Sequence, residues 1–322
     1  MNLQRQFGRP PHASAARGPF FIVLNAGSGS DDARAVREAI EHAFLDAGRQ
    51  HTLLLVEQPG KLSEQARRAV FQARATNGVV VAAGGDGTIN TVAAAALEHG
   101  LPFGVIPQGT FNYFSRTHGI PADVEEAVQV LVHAPPQPVQ VGVVNEHLFL
   151  VNASLGLYPQ LLEDREAYKQ QFGRSRLVAL FAALATIVRE HRPLRIRLES
   201  NGRTVTLRTP TLFVGNNRLQ LEQIGIPQAS VVEQGWLAAL ALKPVHTHTL
   251  LWLMLRGALG QLGGANQVTG FATRTLTVRP LSLGLRRIKV ATDGETIWLK
   301  PPIEFRVADK PLMLIKPLPA QP

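Results

Sequence analysis

The stretch Val79 to His99 constrains the fold more than any other. Val79-Val80-Val81-Ala82-Ala83 is a run of small or β-branched apolar residues, suited to a strand buried on both faces in a parallel sheet. Gly84-Gly85-Asp86-Gly87-Thr88 follows, and Ile89 to His99 then reads as a helix stopped by Gly100 and Pro102. Strand, glycine turn and helix in that order turn backbone N–H groups toward a ligand, a corner that suits phosphate. Asp86 repels a bare anion, so the corner makes chemical sense with a divalent cation or water between carboxylate and phosphate. The same spacing also serves as a plain tight connection. A second loop, Pro107-Gln108-Gly109-Thr110-Phe111-Asn112, follows the apolar stretch Phe103 to Ile106. Two glycine loops at successive strand ends share one sheet edge, where open α/β sheets bind ligands.

The pattern around this centre alternates. Phe20 to Leu24 and Leu53 to Val56 read as further buried strands. Helices are expected from Ser30 or Asp31 through Ala33, Val36, Ile40, Ala43 and Ala47, from a Ser63 cap through Ala66, Ala69, Val70 and Ala73, and over Asp123 to His133. This predicts a doubly wound parallel α/β domain over residues 19–138, after a loose tail of residues 1–18. Ala134-Pro135-Pro136-Gln137-Pro138 breaks the alternation, and strands dominate beyond it. They include Gln140 to Val144, Leu148 to Asn152, a hairpin of Leu194 to Glu199 and Thr204 to Arg208 around Asn201-Gly202, and Thr273 to Arg279. The expectation is an antiparallel β-sandwich-like domain over 139–307, with helices inserted near Leu177 to Glu190 and Thr247 to Leu262. Residues 308–322 form a C-terminal segment able to return to the N-terminal domain.

Asn25-Ala26-Gly27-Ser28-Gly29, Gly84 to Thr88 with Ile89-Asn90, and Pro107 to Asn112 resemble, in this order, three nucleotide-site motifs of the diacylglycerol kinase catalytic-domain family. That family includes bacterial lipid kinases and sphingosine and ceramide kinases, and is more distantly similar to NAD kinases. The resemblance implies that Asn25, Gly27, Ser28, Gly29, Gly84, Gly85, Asp86, Gly87, Thr88, Asn90, Gly109, Thr110 and Asn112 line an ATP site. In it the Thr88 and Thr110 hydroxyls meet phosphates and Asp86 belongs to the Mg²⁺ network. Both threonines are equally readable as helix N-caps.

Asp293-Gly294-Glu295 resembles the family's Asp-Gly-Glu, whose acidic side chain takes the proton of the lipid hydroxyl as it attacks the γ-phosphate. Asp293 and Glu295 are both candidates, with Asp86 as their metal-network partner, and Asp-Gly is also an ordinary hairpin turn. Asn152 with Gly156 resembles an element that in the family faces the inter-domain cleft. The chain departs from the family pattern at Ala26, Glu57, Thr91 and Tyr113. Of the acidic residues expected before Gly235 for a structural metal, only Glu233 is present, and His246 with His248 lacks a third ligand.

Composition narrows the partners. With 322 residues, 45% of them hydrophobic, the chain can fill two cores. No secretory signal and no apolar run of spanning length is read. The absence of cysteine excludes thiolate chemistry and Cys-ligated zinc and fits a reducing compartment. A formal charge of +9 asks for an anionic partner; without a recognition-helix cluster, anionic membrane is expected and nucleic acid is not. The resulting expectation is a cytoplasmic, ATP- and Mg²⁺-dependent lipid kinase, peripheral on the inner membrane face, acting on a diacylglycerol-like hydroxyl. A homodimer is compatible with it. An NAD kinase and a non-catalytic nucleotide- or lipid-binding regulator remain open alternatives. Leu250 to Leu262, apolar nearly all round, is expected between sheets or against a bilayer.

Overall fold

A computed structural model of the protein describes residues 18–25, 30–109, 111–157, 159, 193–246, 249–250, 252–253, 256, 259–261, 266–281 and 286–318. The expected tail (apart from Gly18), Ala26 to Gly29, Thr110, the helix expected near Leu177 to Glu190 and His248 lie outside the described residues. The chain divides into two compact units, Met1–Val141 with Asp309–Pro322, and Gly142–Ala308.

In the first unit β1 (Phe20–Asn25), β2 (His51–Val56), β3 (Val79–Gly84) and β4 (Phe103–Pro107) pair in parallel, in the order β2-β1-β3-β4. Helices α1 (Ser30–Asp46), α2 (Leu62–Thr76), α3 (Asp86–Glu98) and α5 (Val124–His133) follow the expected alternation, and a short α4 (Tyr113–Thr117), not expected, follows the second loop. Every residue of β3 is buried. On one face Val79 and Val81 cluster with Ile40 and Phe44 of α1 and Val128 and Leu131 of α5, while α2 and α3 also pack on the central strands. Full burial of each such large side chain contributes roughly 1.5–3 kcal/mol, which fixes the unbroken apolar run as a central strand. Asp123 caps α5 by accepting from the Glu126 N–H. Ser63 does not cap α2: a 3-10 turn, Pro59–Lys61, leads in, Lys61 takes the cap position, and Ser63 falls inside the first turn. The unexpected strand β5 (Pro136–Val139) lies in the proline-rich break. It is an edge strand, the one sheet position where missing N–H donors cost little.

His118, just past α4, packs edge-on against Phe114 at 4.7 Å. Burial first, and the Lys316 charge second, push its pKa down to about 3 from an ordinary 6.5; burial also lowers that of Lys316. The unfolded chain therefore binds a proton at His118 that the folded chain refuses. Stability is intact above about pH 6.5 and is lost as pH falls toward 3, by at most ~1.4 kcal/mol per pH unit. Urea unfolding of His118→Gln is expected to vary less between pH 7 and 4 than that of the parent; matching curves would remove His118 as the cause.

The second unit runs β6 (Gly142–Val144), β7 (His147–Phe149), β8 (Asn152–Gly156), β9 (Leu194–Ser200), β10 (Arg203–Thr209), β11 (Thr211–Gly215), α6 (Arg218–Gln223) and a 3-10 helix, Pro227–Gln234. It continues through β12 (Leu237–Leu242), β13 (Val268–Thr273), β14 (Thr275–Pro280), β15 (Ile288–Thr292), β16 (Glu295–Leu299) and β17 (Ile303–Val307). Two sheets form, β10-β9-β14-β17-β6-β7 and β13-β12-β11-β8-β15-β16, and Ile196, Val278 and Phe305 of one share a core with Leu155, Val214 and Val290 of the other. Asn201 and Gly202 make the β9–β10 turn at φ 50° and 73°, as Asn-Gly predicts.

Two expected strands are sheet changes instead. Leu148 to Asn152 splits into β7 in one sheet and β8 in the other, crossing at Leu150-Val151, and Thr273 to Arg279 splits at Arg274. Of the expected helix Thr247 to Leu262, Leu250 and Leu253 are buried whereas Trp252 and Leu259 are exposed. Among the described residues no helix is long and apolar enough to cross a membrane. Finally β18 (Leu312–Ile315) returns to the first unit, parallel to β4 and antiparallel to β5, and completes its six-stranded sheet.

Candidate nucleotide and acceptor residues

Asn25 closes β1 and donates from Nδ2 to Thr88 Oγ1 at 2.9 Å, tying the strand end to the first turn of α3. Thr88 is buried against Gly84, where an added Cβ would lie 2.7 Å from the threonine side chain. Gly85 is the cap of α3 and Thr88 its third residue, so the N-cap reading of Thr88 gives way to that of a side chain held under the glycine turn. Asp86, Gly87 and Asn90 lie in the first turns of the same helix, whose positive end faces the loop.

The second loop touches the first. Gln108 N–H donates to the Gly84 carbonyl at 3.0 Å, and a Cβ on Gly109 would stand 3.0 Å from Gly85 Cα. Asn112, at φ 46°, folds back so that its Oδ1 accepts from Gly109 N–H at 3.1 Å and its Nδ2 donates to Gly109 O at 2.6 Å. Larger residues at 84 and 109 would therefore fill the cradle. Gly27, Ser28, Gly29 and Thr110 lie outside the described residues. At the family departures, Thr91 turns its hydroxyl onto Gly87 O at 3.0 Å within α3, and Tyr113 stacks on Phe111 with ring centroids 6.0 Å apart. Glu57, just past β2, is exposed.

In the other unit Asp293 and Gly294, at φ 47° and 92°, make the two-residue turn of the β15–β16 hairpin. The Asp293 carboxylate accepts from the backbone N–H groups of Leu150, Val151 and Asn152 at 2.7, 2.9 and 2.9 Å. It thus satisfies the donors freed where the chain crosses between sheets. Glu295, the first residue of β16, is exposed, and its side chain makes no hydrogen bond or ion pair with the described residues. The protein packed around its carboxyl, and secondly the neighbouring Asp293, raise its pKa.

Asn152 is buried and its Nδ2 donates to Gln220 Oε1 at 3.0 Å. The sequence reading missed Asn216, which donates to Leu150 O at 3.1 Å, and Asn217, which caps α6; paired asparagines directly after a strand were the available signal. Glu233 is ion-paired with Arg218, and among the described residues no three His, Cys, Asp or Glu side chains gather as a metal cluster.

Residues 19–144 match the family model described as the diacylglycerol kinase catalytic domain. The chain is 29% identical over 255 residues to an uncharacterized protein of Synechocystis sp., covering 74% of this chain and 55% of that protein. It is 28% identical over 186 residues to a diacylglycerol kinase of Bacillus subtilis, covering 56% and 59% respectively. It thus spans little more than half the length of these relatives. A crystal structure of a diacylglycerol kinase from Bacillus anthracis superposes with a TM-score of 0.67 at 18% identity, covering 94% of this chain and 98% of that one, a likeness of fold. Residues 19–144 are thus similar to the diacylglycerol kinase catalytic domain, and the chain as a whole shares the fold of the Bacillus anthracis structure.

Proposed function

We propose that the protein is a lipid kinase that transfers the γ-phosphate of ATP to the hydroxyl of a diacylglycerol-like lipid, with Mg²⁺, at the inner face of a membrane. The observation that carries this reading is the meeting of the two glycine loops over Thr88. Backbone approaches backbone there with no side chain between, the kind of cradle a phosphate chain requires. Gly85, Gly87 and Gly109, with Thr88 and Asn112 around them, would hold the phosphates. Asp86 would hold Mg²⁺, which takes one or two protein carboxylates and completes its shell with phosphate oxygens and water, so a single acid fits. When bound, the ion supplies charge neutralisation.

The chain's own residues supply the rest. Glu295 accepts the proton of the lipid hydroxyl as its oxygen bonds to the γ-phosphorus and the bond to the β-phosphate oxygen breaks, releasing ADP. Its raised pKa and its lack of other side-chain partners among the described residues support this assignment. Asp293, with three backbone donors on its carboxylate, is a positioning residue that fixes the hairpin on which Glu295 stands. Incubation with γ-labelled ATP and dispersed diacylglycerol, with and without Mg²⁺, should label the lipid only with the metal. Label on NAD instead, or ATP binding without transfer to any lipid, would overturn the reading.

A further inference from the structure

The β15–β16 hairpin carries on one face a group that phosphoryl transfer does not use. Trp298 is 58% exposed, and the Lys289 ammonium, its partner directly across the ladder, lies 4.9 Å from its ring centroid. At the end of the hairpin away from its turn, Arg287 and Lys300 directly flank the two strands, both exposed and without an ion pair among the described residues. The next two strands of the sheet, β8 and β11, contain no acidic residue. The hairpin's acids, Asp293 and Glu295, stand at its opposite end. An exposed indole framed by cations is the chemistry of a membrane–water interface, where Trp sits at headgroup level and Lys and Arg meet lipid phosphates.

We propose that this hairpin face seats the protein on an anionic bilayer, with Trp298 entering the headgroup region and Arg287, Lys289 and Lys300 on lipid phosphates. The proposal rests on the lipid-kinase reading and names the surface through which the lipid is met. Glu295 precedes Trp298 by three residues of extended strand, about 10 Å, and by strand alternation projects from the other face of the hairpin.

The test uses the full chain without nucleotide, mixed with vesicles of phosphatidylglycerol and phosphatidylcholine or of phosphatidylcholine alone. Binding to the anionic vesicles that weakens with salt, and tryptophan emission quenched by brominated acyl chains, are expected. Trp298→Ala should weaken partitioning about tenfold and the triple variant Arg287→Glu, Lys289→Glu, Lys300→Glu about 100-fold, both with unchanged melting temperature. Undiminished binding of the triple variant, or quenching that persists in Trp298→Phe, would overturn the proposal. So would loss of binding in Trp252→Ala with Trp298→Ala unaffected, which would move the contact to the other exposed tryptophan, stacked with Arg256.

A water-soluble short-chain diacylglycerol separates this proposal from the kinase reading. Variants that phosphorylate it normally but fail on vesicles support docking through the hairpin. If the parent phosphorylates neither substrate while vesicle binding still depends on Trp298, the kinase reading falls and the docking surface stands.

Discussion

Asp293→Ala is expected to destabilise the Gly142–Ala308 unit by roughly 3–5 kcal/mol, because three backbone donors lose a charged acceptor at once. Leu150, Val151 and Asn152 are all buried, so water cannot readily replace the carboxylate. For a unit of this size the loss corresponds to a fall in melting temperature on the order of 10 °C. Asp293→Asn, which keeps one good acceptor oxygen, should fall between alanine and the parent. An alanine variant that melts with the parent would show that the crossing is held by something else. Loss of phosphoryl transfer in Asp293→Ala is consequently no proof of proton abstraction by this residue, since the hairpin carrying Glu295 is loosened as well.

Glu295→Gln separates the two roles. The substitution keeps size and hydrogen-bonding capacity and touches no ladder bond, so melting should stay close to that of the parent. Turnover should drop by about 10²- to 10⁴-fold, the usual contribution of a general base. The pH profile gives a second readout. A base works deprotonated, so the parent's rate should fall as pH drops through the Glu295 pKa, and burial and the neighbouring Asp293 should displace that limb upward from the ordinary glutamate position. The limb should vanish from whatever activity the glutamine variant retains. Full turnover in Glu295→Gln would return the assignment to Asp293.

The parts of this molecule that could be read from the sequence are those written in local periodicity. Five apolar residues before a glycine turn can be covered only inside a two-sided layer, and β3 lies there. Alternating Leu194, Arg195, Ile196, Arg197 and Leu198 before Asn-Gly leaves one register for the β9–β10 hairpin. The crossing at Leu150-Val151 was hidden because Leu148-Phe149-Leu150-Val151 is continuously apolar, although its two halves belong to different sheets. What marks the break is a carboxylate more than a hundred residues away in sequence, and no local pattern reports such a bond. For the same reason Asp293 and Glu295 looked equivalent. What separates them for catalysis is what each carboxylate already holds. β5 was missed because prolines argue against a strand everywhere except at an edge, and nothing nearby said that this position was an edge.

The position of β18 also sets an order of events during synthesis. Residues 19–144, including both glycine loops, leave the ribosome long before Leu312–Ile315, the strand that lies between β4 and β5. Until then β4 has an open edge and β5 has no partner, so the emerging first unit is incomplete while the whole of Gly142–Ala308 is made. Leu312 pairs with Val139, so the long excursion leaves this sheet and rejoins it at neighbouring positions. A nascent chain halted at Ala308 would display an exposed strand edge open to pairing with other chains, and should aggregate or bind chaperones where the chain extended through Ile315 does not.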